Sequence, residues 1–132
     1  MDKKFLKKII AQSPEDLQVI SACCSEAKIK TTDIKYLSTN KIFLISLSRL
    51  NKETENYKKP INSIVKFEFI ESSKSKNIDQ NNPDLVLDLL AINIFKKDNN
   101  FEITLLFSKN GIITLTSEVI EATLEDQKII DD

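Results

Sequence analysis

Histidine and tryptophan are absent from the 132 residues, and glycine occurs once, at Gly111. Without an imidazole there is no ordinary catalytic base, no Ser-His or Cys-His pair, and no histidine-based metal site. A single glycine cannot build a phosphate-cradling loop or a dinucleotide fingerprint. The only cysteines, Cys23 and Cys24, are adjacent. A bridge between neighbours would strain the peptide that links them, so both read as thiols of a reducing compartment. Two thiols cannot form a four-thiolate zinc site, and nothing near them in sequence depresses their pKa for redox work. No cofactor is expected.

An excess of either charge is lacking as well. Nineteen basic residues face 20 acidic ones for a formal net charge of -1, which leaves no global attraction to nucleic acid or an anionic bilayer. Nucleic acid is therefore the less favoured partner, and a charge-based partner would have to read a local patch. No run approaches the ~20 apolar residues of a membrane helix, and the opening MDKKFLKKII is too interrupted for a signal peptide, so a cytoplasmic location is expected. Arginine is nearly missing: Arg49 is the one exception among lysines, a bias that reads as AT-rich coding.

What is present is strand pattern. At this length a single domain, residues 1–132, is expected. The stretch Pro83 to Ser117 holds three apolar runs separated by short turn signals, a three-stranded antiparallel meander. In it Phe101, Ile103, Leu105 and Phe107 alternate with Glu102 and Thr104, the period of a half-buried strand. A four-residue loop at residues 97–100 pairs Ile94 with Ile103, Ile92 with Leu105 and Leu90 with Phe107. A three-residue loop, Lys109-Asn110-Gly111 with the glycine at positive φ, pairs Phe107 with Ile113 and Leu105 with Leu115. Leu89, Ala91, Asn93 and Phe95 on the reverse of the first strand predict a covered central strand or one lying under a helix.

Earlier in the chain, Phe5 to Ile10 reads as a solvated strand edge in preference to a basic amphipathic turn. Ser13-Pro14-Glu15-Asp16 is a helix start, with Ser13 as cap and Pro14 in the first turn. It opens a helix from Pro14 to about Glu26 whose stripe holds Leu17, Ile20, Cys24 and Ala27. A tight turn at Thr39-Asn40 sets Tyr36 opposite Phe43 and Ile34 opposite Ile45, on the face that continues to Leu47 and then Arg49. Ile61 to Glu71 is a further strand with Val65, Phe67 and Phe69 inward. Residues 72–84, SSKSKNIDQNNPD, read as a mobile loop, 118–126 as a short helix in preference to a strand, and 128–132 as a frayed tail.

Arg49 is the one candidate for chemistry, since an arginine where an inward apolar row ends can clamp a carboxylate or phosphate. The plainer reading has it snorkel past the core rim to an acid. Lys58 and Lys59 would complete a basic rim. The carboxylate pairs Glu53 with Glu55 and Asp84 with Asp88 match no established ligand loop, and at 30% charged residues such pairs arise freely.

Several of these segments resemble an uncharacterised alphaproteobacterial family, domain of unknown function 2948. They are Pro14-Glu15-Asp16-Leu17 with Val19-Ile20-Ser21-Ala22, Asp33 with Tyr36-Leu37, Leu47-Ser48-Arg49, Leu89-Leu90-Ala91-Ile92, and Ile120-Glu121-Ala122 with Leu124 and Asp126. The resemblance runs over nearly the whole chain, implies a shared fold and carries no activity with it. The family's Arg-rich segment is represented here by Lys58-Lys59, and its glycine-rich hairpin by Gly111.

The expected class is α+β: six or seven mostly antiparallel strands, able to curl into a small barrel resembling pleckstrin-homology folds, with one N-terminal helix and a short C-terminal one. The missing catalytic groups favour a non-enzymatic binding or adaptor module. It would present the Arg49 to Lys59 rim or an open sheet edge to a protein partner or a second copy. The alternative is a small-anion binding protein or a histidine-free enzyme built on Arg49.

Overall fold

A computed structural model describes residues 6–50 and 60–129. Among these, ten strands and one α-helix alternate in the order β1 (Lys8–Ala11), α1 (Pro14–Cys24), β2 (Ala27–Lys30), β3 (Ile34–Leu37), β4 (Ile42–Leu50), β5 (Pro60–Phe67), β6 (Ile70–Lys76), β7 (Val86–Lys97), β8 (Asn100–Phe107), β9 (Ile112–Ser117) and β10 (Ala122–Ile129). All belong to one antiparallel sheet running β1-β10-β5-β4-β2-β7-β8-β9-β6, with β3 joined to β4. The sheet is open, ending at β1 and β6, so the barrel expectation is corrected, as is the count of six or seven strands. The extra strands are short or polar: β1 and β2 have four residues each, and β6 is IESSKSK. Serine and lysine there hid a strand inside what reads as a loop.

The helix forms as its start signal requires. The Ser13 hydroxyl accepts from the Asp16 N–H at 3.1 Å, Pro14 occupies the first turn, and Leu17, Ile20 and Cys24 are buried against the sheet. It ends at Cys24 instead of near Glu26, because Glu26 takes φ 68 and turns the chain into β2, where Ala27 is buried in a strand. The β3–β4 hairpin has the expected register, Tyr36 opposite Phe43 and Ile34 opposite Ile45.

Four details of the meander differ from expectation. Ile92 does face Leu105 and Ile94 faces Ile103, but Lys97 pairs with Asn100, so the turn has two residues, Asp98 and Asn99. A bulge between Leu89 and Ala91 sets Leu89, not Leu90, opposite Phe107. The bulge switches the alternation, so Leu87 and Leu89 before it and Ile92 after it are all buried while Leu90 is 50% exposed. Across the β8–β9 turn the pairs are Leu105 with Ile113 and Ile103 with Leu115, two residues from the expected register. A two-residue shift preserves the face, and Phe107, Ile113 and Leu115 remain buried together. The positive φ falls on Lys109 and Asn110. Gly111 is extended, and its missing side chain admits Ile78, whose Cγ1 would lie 3.0 Å from a Cβ there.

The chain leaves β5 at Phe67 and re-enters the sheet as β6 at Ile70, while β9 and β10 make the matching switch through residues 118–121. Phe69 at this corner has φ 61 and is 52% exposed, which corrects its inward assignment; Ile70 is buried in its place. Residues 122–129 form β10, not a helix. Ala122 faces Phe67 and Leu124 faces Val65, and Ala122, Leu124 and Asp126 are buried in period 2. Residues 130–132 of the expected tail lie outside the described residues, and Ile129 belongs to β10. No helix among the described residues is long and apolar enough to cross a membrane.

Candidate functional site

The inward row of β4 is Phe43, Ile45, Leu47 and Arg49, and all four are buried. Arg49 does not snorkel to solvent, as its side chain is 1% exposed. Its Nε donates to Asp126 Oδ1 (3.1 Å) and its Nη2 to Asp126 Oδ2 (2.8 Å), the two-pronged geometry that suits a guanidinium and a carboxylate. Ser63 on β5 donates its hydroxyl to Asp126 Oδ1 at 2.6 Å and lies 3.3 Å from Arg49 Nε. The Lys7 N–H donates to Asp126 Oδ2 at 2.9 Å, and the Asp126 N–H returns a bond to the Lys7 carbonyl.

One buried carboxylate thus ties β4, β5 and β10 to the residue that leads into β1. Burial pushes the Asp126 carboxyl up, yet the hydrogen bonds from Arg49, Ser63 and Lys7 and the guanidinium charge together hold it below its usual value. Burial likewise pushes the Cys24 thiol up to about 12, against a smaller opposing pull from Arg49. A thiol so protected from ionisation is a poor nucleophile. Chemically the Arg49 cluster is an internal clasp whose described partners are protein groups.

Of the other sequence candidates, Lys58, Lys59, Glu53 and Glu55 lie outside the described residues. Asp84 is exposed in a loop and Asp88 is paired with Lys28, so those two carboxylates do not share a site. Among the described residues no three His, Cys, Asp or Glu side chains cluster as metal ligands. Ser63 carries no site signal in its local sequence, and the one pointer to Asp126 is the alternation Ala122, Leu124, Asp126, whose third inward position demands a buried partner for a carboxylate.

A different feature is concave. The outer edge of β7 pairs with β2 only from Val86 to Leu89. Beyond that point no described strand follows, and α1 runs alongside instead. A groove of about 500 Å³ lies between them, lined by Leu17, Gln18, Ser21 and Ala22 of α1 and by Leu90, Ile92, Asn93, Ile94 and Phe95 of β7. The Ile92 N–H, turned away from β8, donates to the Ser21 hydroxyl at 2.9 Å, so Ser21 fills one bonding position of the vacant strand. Ladder alternation puts the N–H and C=O of Ile94 and Lys96 on the same open side. Leu90, turned outward by the bulge, and Phe95, 61% exposed, stand beside this edge. The bulge and the short β2 create the opening, and neither is written in hydrophobic period.

No curated protein and no solved structure matches the chain. The family model described as protein of unknown function (DUF2948) matches residues 7–129, which takes in both the Arg49 clasp and the groove beside β7. The chain therefore belongs to the DUF2948 family.

Proposed function

We propose that this protein is a non-enzymatic binding module that takes up an extended peptide segment of a protein partner by strand addition along the outer edge of β7. The observation that carries this reading is the half-used edge: β2 pairs with Val86 to Leu89 and leaves the donor and acceptor of Ile94 directed into a groove roofed by α1, with those of Lys96 further along the same open edge. An incoming strand would gain main-chain hydrogen bonds worth about 0.5–1.5 kcal/mol each, while Leu90, Ile94 and Phe95 offer apolar contacts for alternate side chains. The lack of histidine, the lack of a metal-ligating cluster among the described residues and the raised pKa of the Cys24 thiol fit a surface that binds without transforming its ligand.

The test is selection of ligands from a random-peptide library, followed by amide-shift mapping on isotope-labelled protein. The expected result is a set of extended peptides that perturb Ile94, Lys96 and the Ser21 face of α1. In Lys96→Pro the lost N–H and the proline ring should weaken binding at least tenfold, whereas Lys96→Gln should bind as the parent does. Peptides mapping to another surface, or equal binding by both variants, would overturn the reading.

A further inference from the structure

Phe69 has a backbone conformation that suits glycine or asparagine, φ 61, and a ring that is half in solvent. A bulky residue in this region is an outlier, and such outliers cluster at interaction sites. The position itself is held from outside the ring. The Glu68 N–H donates to the Glu121 carbonyl at 2.8 Å, and the Ser117 hydroxyl, which accepts from the Val119 N–H at 3.3 Å, has the Phe69 carbonyl at 2.9 Å and the Val119 carbonyl at 2.5 Å as alternative acceptors for its one proton. The turn therefore needs a residue tolerant of positive φ and does not need a phenyl ring. Elsewhere among the described residues this conformation falls on polar residues, Glu26, Lys41, Asn77, Asp98, Lys109 and Asn110. Val119, on the strand switch that faces Phe69, is 48% exposed. Two large apolar side chains thus stand outward on a corner tied down by main-chain and serine hydrogen bonds.

The surroundings define what could cover them. Glu68, Glu71, Glu118 and Glu121 flank the two side chains in the paired segments. Lys66 and Lys41 approach Glu68 at 3.8 Å and Glu71 at 3.1 Å, and Gln12 donates to Glu121, which leaves a surplus of negative charge. An anionic bilayer would be repelled by such a rim, whereas a basic one would be attracted.

We propose that the Phe69–Val119 corner is a docking surface for a protein segment with an apolar face flanked by lysines or arginines, such as a basic amphipathic helix. Phe69 serves as its anchor, held outward at a backbone cost that the fold does not need. This surface is independent of the β7 edge.

The experiment titrates labelled full-length protein with a synthetic 18-residue helix of leucine and lysine, with the same peptide bearing glutamate for lysine, and with phosphatidylglycerol vesicles. The lysine peptide is expected to shift residues 68–71 and 118–121, and the other two probes to leave them unmoved. Phe69→Asn is expected to keep or raise Tm and to weaken the lysine peptide at least tenfold. Val119→Ser provides a second variant, expected to weaken the peptide with Tm unchanged. No binding of the lysine peptide, binding elsewhere, equal binding by Phe69→Asn, or retention on the vesicles would each overturn the proposal. So would a drop in Tm for Phe69→Asn with binding intact, since the ring would then be structural.

Discussion

Arg49 and Asp126 are each expensive to bury and cheap only together, so the clasp is where a single substitution should tell most. Asp126→Ala leaves a buried guanidinium facing Ser63 and should cost about 3–5 kcal/mol in urea unfolding, whereas the double change Arg49→Met with Asp126→Leu should recover most of that loss. The pH dependence follows from the direction of the shift. Asp126 has a folded pKa below its ordinary 3.8, so its contribution is complete above that value and is lost as pH falls through the folded pKa. Acid unfolding below about pH 4 should therefore be blunted in Asp126→Asn relative to its own stability at pH 7. Cys24 runs the other way. With a folded pKa raised from 9.0 to about 12, it favours the folded state fully below pH 9 and progressively less as pH climbs toward 12. Gly111 illustrates a residue whose role changed with its surroundings. Its φ is ordinary, and a methyl group there would press on the Ile78 side chain, whose Cγ1 would lie 3.0 Å away. Gly111→Ala should lower Tm, and Ile78→Ala in the same chain should remove that added penalty.

Elements formed by neighbours in sequence behaved as their residues dictate. Ser13 caps α1 and Pro14 sits in its first turn, so Ser13→Ala should cost about 1 kcal/mol by thermal unfolding. The Thr39-Asn40 turn and the alternation on either side of it set the β3–β4 register without outside help. Where a strand is polar or short, period fails: β6 is mostly serine, lysine and glutamate, and it is a strand because β9 supplies its ladder. The segment 118–126 satisfies a helical and a strand pattern alike, and β5 and β1 on the two sides of β10 decide for the strand from Ala122 onward. The β8–β9 turn invites a test of its own. Lys109 holds φ 62, so Lys109→Gly should stabilise the protein by up to about 1 kcal/mol in urea unfolding, because relief of the left-handed conformation outweighs the added freedom of the unfolded chain.

At the scale of the whole molecule, the groove and the corner are both products of how strands are handed from one neighbour to the next. β4 carries β3 along one half of an edge and β2 along the other, and β2 is too short to cover β7. Amide hydrogen exchange should register this: Ile94 and Lys96 are expected to exchange faster than Asn93 and Phe95, whose groups face β8, with equal rates counting against an open edge.

Local chemistry in the sequence was enough to specify the start of α1, the alternation of β8, the β3–β4 hairpin and an inward row on β4 that ends in arginine. Each of those depends on side chains within a turn or a few residues of one another. The partner of that arginine lies 77 positions away, the parity of β7 switches at a bulge, and Phe69 turns outward where two strand pairs change neighbours together. Only the folded chain decides such features, because they are settled by which backbones come to lie side by side, a long-range outcome that no local pattern of polar and apolar residues records.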